Sequence, residues 1–193
     1  MKKIITILLC FLIALSVNAK DYKNELSFTY GQFTVPQFAY VMGGVLGVAF
    51  TAGHFTFENS KFIGTTGFEY IHYTNDWFGY GGTIVCDYMT SDAYNVSSEG
   101  EKTYNGKFNL GFISIMPNVK FSWFNRERVS LYSKIAVGSG LVFDNDDSLE
   151  NNITLAAQIS PIGVDFGNNS YRGFAELGIG MQGILNVGIR KLF

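Results

Sequence analysis

From residue 25 to the C-terminus, apolar side chains recur at every second position, in segments separated by turn-forming residues. Period two marks a strand with one greasy and one polar face. The final segment, Gly183–Phe193, has Leu185, Val187, Ile189 and the terminal Phe193 on one face. Asn186, Gly188 and Arg190 occupy the other. A greasy face opposite a small or polar one, over about ten residues, is what a transmembrane β-strand needs.

Seven earlier segments repeat the pattern. In Glu25–Phe33, Leu26, Phe28 and Tyr30 oppose Ser27, Thr29 and Gly31. In Phe62–Tyr73, Phe62, Phe68 and Tyr70 oppose Thr65, Gly67 and Glu69. Trp77–Met89 puts Phe78, Tyr80, Ile84, Cys86 and Tyr88 outward, with Gly79, Gly81, Thr83 and Asp87 inward. Lys107–Phe124 starts with Phe108, Leu110 and Phe112 outward, then changes phase to Ile115, Val119, Phe121 and Trp123. A change of phase by one residue predicts a β-bulge near Ile113–Pro117, where proline is best tolerated. Arg128–Phe143 turns Val129, Leu131, Ile135, Val137 and Leu141 outward, against Tyr132, Lys134, Ala136, Gly138 and Gly140. Ile153–Phe166 changes phase at Ser160-Pro161, from Ile153, Leu155, Ala157 and Ile159 to Ile162, Val164 and Phe166. Tyr171–Met181 sets Ala175, Leu177, Ile179 and Met181 outward, against Glu176, Gly178, Gly180 and Gln182.

The fold this predicts is all-β: an eight-stranded antiparallel up-and-down transmembrane β-barrel. An even strand count puts both termini on one side. Links at 75–76, 125–127 and 167–170 are short, whereas those at 34–61, 90–106 and 144–152 are long; the link at 182–184 is a short exception. Outer-membrane barrels have short periplasmic turns and longer outer loops, so termini and short turns are expected on the periplasmic side.

The front of the chain fits this address. Met1-Lys2-Lys3, the apolar run Ile4 to Leu15 and Ser16-Val17-Asn18-Ala19 read as a secretory signal peptide over residues 1–19. The apolar run before Cys10 is too short for a lipoprotein signal. Residues 20–193 form the barrel domain. Removing the signal takes the formal charge from −2 to −4 and leaves Cys86 as the lone cysteine, so no intrachain disulfide can form. Hydrophobic residues make up 47% of the sequence but charged ones only 16%, against about 25% in typical soluble domains. Alternating strands reconcile a greasy composition with the lack of a convincing helical span.

The link Pro36–Gly53 is apolar and long. Phe38, Val41, Met42, Val45, Leu46 and Ala49 share a face at helical spacing, and Pro36 suits a first turn. This predicts a short helix on the barrel mouth or outer leaflet, or a plug or partner-binding surface. Extended β-structure, favoured by Phe55-Thr56-Phe57, is the other option. The stretch Asp92–Lys102 reads as a mobile exposed loop. Acidic residues at Asp144–Asn152 lack an ordered calcium-ligand pattern and read as solvated surface.

These features resemble the small eight-stranded outer-membrane β-barrel family, the OmpA/OmpX-like and porin-like barrels. Met116-Pro117, Ser160-Pro161-Ile162-Gly163, Ala175-Glu176-Leu177-Gly178-Ile179-Gly180 and Phe193 carry the resemblance, over residues 25–193. It implies cell outer membrane localisation, outer-membrane lipid as surroundings, and delivery by the outer-membrane assembly machinery. The assembly signal would be the last strand, through Phe193, Ile189, Val187 and Leu185. Lys191 departs from the family's apolar or aromatic residue two places before the end.

Candidate chemistry lies on the inward faces. Strand parity directs Glu176, Arg190, Glu69, Asp87, Lys120, Lys134 and Asp165 into the lumen. A final hairpin centred on Gly183 would set Glu176 directly opposite Arg190 as a cross-strand pair. Such a network either fills a barrel too narrow for water or gates a narrow pore for small solutes. The histidines are His54, near Glu58 and Ser60, and His72, near an aromatic turn. Neither shows the geometry that an outer-membrane lipid-directed enzyme would need. The expectation is a monomeric, non-enzymatic membrane protein with an envelope-structural or surface-binding role through its outer loops. No cofactor, metal or nucleic-acid partner is expected, because no ligand cluster, phosphate loop or basic patch is present.

Overall fold

The computed structural model describes residues 23–50, 55–97, 101–144 and 153–193. The expected signal peptide, His54 and the acidic loop residues 145–152 lie outside the described residues. Among the described residues there are eight strands: β1 (Asn24–Gln32), β2 (Phe55–Tyr73), β3 (Phe78–Val96), β4 (Lys102–Asn125), β5 (Val129–Asp144), β6 (Ile153–Gly167), β7 (Tyr171–Gly180) and β8 (Leu185–Leu192). One helix, α1 (Val35–Phe50), joins β1 to β2. Each strand pairs antiparallel with the next, and β1 pairs with β8, so the sheet closes as an up-and-down barrel. Closure leaves no edge along the seam. Asn24 and Phe193 finish it with reciprocal backbone hydrogen bonds of 2.8 and 3.0 Å.

The barrel is inside out. Ile189 is 67% exposed on the outer face, while its neighbour Arg190 is 1% exposed within. The same alternation runs along β1, where Leu26, Phe28 and Tyr30 are exposed and Glu25, Ser27 and Thr29 are buried.

The walls are uneven in height. β1, β7 and β8 have 9, 10 and 8 residues, whereas β2, β3 and β4 have 19, 19 and 24. β1 stops at Gln32, opposite residues near Thr65, so β2 rises above it without a β1 partner. Helix α1 packs against β2 there. Helix and β-extension are therefore both realised, over Val35–Phe50 and from Phe55 onward. The 90–106 link is largely strand as well, since β3 runs to Val96 and β4 starts at Lys102.

The phase change in β6 is a true bulge. Ile159 pairs with Ile179 and Ile162 with Leu177, so Ser160-Pro161 holds an extra residue. On the β5 side the shift falls between Tyr132 and Lys134. The phase change in β4 is something else. β3 and β4 stay in one register from Phe78↔Phe121 to Ala93↔Gly106, and no bulge interrupts Ile113–Pro117. Phe108, Leu110 and Phe112 keep the inward parity of Ser114 and Met116, contrary to the sequence expectation. The apolar pattern changes face because the upper lumen is itself apolar. Phe112 packs against the buried cluster that includes Met116 and Val85, and Phe108 stacks on Tyr40 of α1 at 5.8 Å.

Two more residues move inward for a similar reason. A register shift between Phe62 and Gly64 turns Phe62 towards Tyr40, with Ile63 displaced outward. Met181 follows the end of β7 and folds into the lumen, where it is 6% exposed beside Val85, Met116, Ala136 and Ala156. The final hairpin is centred near Met181 rather than Gly183. Glu176 thus pairs with Asn186, and Arg190 with Arg172. A slip of four residues preserves parity, so both side chains still point inward.

Candidate functional site

The lumen is filled in layers. At the short-turn end lies an apolar floor of Ile71, Tyr73 and Leu192. Above it Lys120 contacts Glu25 at 3.0 Å and Asp165 at 3.6 Å. Arg190 reaches Glu25 and Asp165, each at 2.9 Å. Aromatic faces complete this tier: the Arg190 guanidinium lies 3.9 Å above the Phe174 ring, and the Lys120 ammonium 3.9 Å above Tyr132.

A second tier centres on Lys134, which contacts Glu69 and Glu176 at 2.8 Å each. Tyr132 joins the tiers by donating to Glu176 at 2.8 Å and accepting from Arg190 at 3.0 Å. Arg190 also approaches Glu176, at 3.7 Å. The contact expected from the sequence therefore exists, although these residues are not register partners and Arg190 has closer carboxylates.

Thr83 and Asn118 donate to Glu69, while Ser160 and Asn186 donate to Glu176. Above these polar groups lies the apolar septum of Val85, Met116, Ala136, Ala156 and Met181, walled by Phe112. The turn after β7 is drawn in to complete it. Thr65 donates to the Met181 carbonyl at 3.1 Å, and Gln158 accepts from the Gln182 amide at 2.9 Å.

Asp87 stands apart from the ion network. It lies near the α1 mouth, where Thr34 donates to it at 2.5 Å and Gln37 at 3.3 Å. These two residues also form the helix cap. The Gln37 amide donates to the Thr34 hydroxyl, and the Gln37 side-chain oxygen accepts from the backbone of Phe33 and Thr34. Tyr40, on the same inner face, bonds Ser91. The opposite face of α1 exposes Val35, Phe38, Val41 and Met42.

Parity directs all seven candidate residues inward; the structure brings six of them together, sets Asp87 apart, and adds Glu25, the acid that both Lys120 and Arg190 engage. Its signal is in the sequence: Glu25 shares the inward parity of Ser27 and Thr29, although it stands at the very start of its segment. Arg172 is added likewise; it donates to Ser130 at 2.6 Å and to the Glu127 carbonyl at 2.9 Å. His72 bonds Asn24 and packs edge-on against Tyr80, with no nucleophile or acid in that contact. Among the described residues no group of three or more His, Cys, Asp or Glu side chains is arranged to hold a metal ion.

Fold and site together define a closed eight-stranded antiparallel barrel whose interior is packed with ion pairs and capped by a helix. No family model matches the chain, and no curated protein matches it. Solved structures similar to it include the Yersinia pestis outer membrane protein Ail in a phospholipid bilayer nanodisc. That protein is 17% identical, with 90% of this chain and 100% of that one covered, at a TM-score of 0.41. The crystal structure of Yersinia pestis Ail, the attachment invasion locus protein, in complex with the heparin analogue sucrose octasulfate, is 14% identical. It covers 88% of this chain and 95% of that one, at a TM-score of 0.39.

Proposed function

We propose that this chain is an integral outer-membrane barrel with a sealed lumen, acting without catalysis as an envelope-structural or surface-binding protein. The observation that carries this is the inverted distribution of side chains on a closed sheet. In water the exposed belt of Phe28, Phe68, Ile135, Leu177, Ile179 and Ile189 would be an aggregation surface. In a bilayer it is matched to its solvent, and over the height at which all eight strands pair, closure satisfies the strand backbone without water. Aromatic residues support the placement. Trp77, Phe78 and Phe121 cluster at the short-turn rim, with Trp123 and Tyr171 exposed near the same end. Such girdles sit at membrane–water interfaces.

The termini and short turns face the periplasm in this reading, and the long hairpins and α1 face outward. Surface binding falls to that outer part. Strand β8 presents the apolar face, Leu185, Val187 and Ile189 with Phe193 just beyond it, that would engage the assembly machinery during insertion.

The test is extraction and gel mobility. The account predicts a protein retained in the outer-membrane fraction, released only by detergent, and migrating differently before and after boiling. Recovery as a soluble monomer in plain buffer would end it. A narrow channel is the competing reading, favoured by a buried ion network whose members have several partners. The Met116–Met181 septum above that network opposes it, since a dry apolar layer blocks ions. In planar bilayers the sealed barrel should give no steady single-channel openings; regular openings by the pure protein would replace this reading with the channel.

A further inference from the structure

The upper tier of the ion network is short of positive charge. Glu69 and Glu176 share Lys134 at 2.8 Å each, and all three side chains are fully buried. Arg190, the next cation, lies 3.7 Å from Glu176 and is already engaged at 2.9 Å by both Glu25 and Asp165. The lower tier sets Glu25 and Asp165 against Lys120 and Arg190, with Arg172 also buried at that end beside Ser130.

The imbalance falls on Glu69. Both oxygens of Glu176 are served, Oε1 by Tyr132 and Lys134, Oε2 by Ser160, Asn186 and Lys134. On Glu69, Oε2 collects Lys134, Thr83 and Asn118, while Oε1 has no partner among the described residues. Its surroundings offer more of the same polarity. Asn118 spends its amide nitrogen on Glu69 and Thr83, and its Oδ1 is unpartnered. Ser27, the backbone partner of Glu69 across β1 and β2, has an unpartnered hydroxyl oxygen. These residues are 1%, 4% and 1% exposed for Glu69, Asn118 and Ser27.

A buried carboxylate oxygen without a donor is unfavourable unless a charge or hydrogen bond answers it. A water could donate to these oxygens, but it would bring no charge to Glu69, whose sole ion pair among the described residues is the Lys134 that it shares with Glu176. We propose that a monovalent alkali cation, sodium or potassium, binds at Glu69 Oε1, with Asn118 Oδ1 and Ser27 Oγ as neutral oxygen ligands. Hard cations of this kind take carboxylate, carbonyl and hydroxyl oxygens. A single unanswered carboxylate oxygen fits one positive charge rather than two. The ion would lock β1, β2 and β4 together at mid-lumen, and the barrel's stability would depend on which salt is present.

The test uses the folded full chain in detergent, with the thermal midpoint read from heat-modifiable gel migration. N-methylglucamine chloride, whose cation is too large for the site, is the reference. Sodium or potassium chloride replaces it at constant ionic strength. The proposal predicts a saturable rise in midpoint, larger for one alkali ion than the other, and abolished in Glu69→Gln. Thallium(I) soaked into wild-type crystals should give an anomalous peak in contact with Glu69 Oε1, which keeps the test open if the variant does not fold. Identical midpoints in all three salts, with no thallium peak, would overturn the proposal. A carboxylic acid C=O stretch lost in Glu69→Gln would then assign the missing charge to a proton.

Discussion

Lys134 is the residue on which the lumen depends most. Truncating it strands two buried carboxylates, and breaking a buried ion pair from one side costs about 3–5 kcal/mol. Lys134→Met should therefore lower the unfolding free energy by about that amount, read as a shift in urea midpoint by gel migration. Lys191→Met, on the exposed outer face of β8, should shift it by less than about 1 kcal/mol. Equal effects at the two positions would show that the interior ion pairs are not coupled as their distances imply. The sequence held this information only as parity. It could direct Lys134 and Glu176 inward from the alternation around them, but parity carries no height along the barrel. It therefore could not tell that Glu25 belongs with Lys120 and Arg190, or that Asp87 leaves the network for α1.

At the scale of elements, α1 is fixed by a cap that reaches across the lumen. Asp87 accepts from Thr34 and Gln37, the same residues that close the helix's first turn. Asp87→Ala should leave those donors unanswered at about 1–3 kcal/mol and let α1 exchange its amide hydrogens faster, while the barrel strands keep their protection. Unchanged exchange in α1 would mean that Tyr40 and its ring contacts suffice.

In the link that follows the reversal near Met181, Gly183 has a φ of +95°, and its Cβ, if it had one, would lie 2.2 Å from the Gln32 carbonyl oxygen. Gly183→Ala should destabilise the barrel and slow its folding, visible as a lower folded fraction on unboiled gels. Wild-type yield would contradict the turn described. That link also accounts for the difference between the expected and observed hairpin register. Gly183 is the evident turn-former, but the chain reverses nearer Met181, which is drawn into the septum. β4 teaches the same lesson. Its apolar residues change phase while its backbone does not, because α1 and the septum give Phe108 and Phe112 apolar partners inside. In β6 an identical pattern marks a real bulge, at Pro161. Hydrophobic periodicity reports which environment a side chain meets, and only where the inside is uniformly polar does it report backbone register.

On the scale of the whole molecule, strand number, closure and the inverted faces were all readable from the sequence, since each depends on period two and link length. The uneven wall height was not. It arises because α1 stands where β1 ends and β2 continues, and helical spacing in residues 36–53 gave no hint of where the helix would pack. The central claim remains that lipid bathes the outer face and protein fills the inside. Nitroxide scanning along β6 tests it most directly, in a Cys86→Ser background and in bilayers. Single cysteines at 155, 157, 159, 162, 164 and 166 should be accessible to oxygen, and those at 156, 158, 160, 163 and 165 protected, with the phase changing at Ser160-Pro161. Oxygen access without that alternation, or access of a water-soluble nickel chelate to positions 157, 159 and 162, would contradict the barrel as a membrane-embedded, inside-out structure.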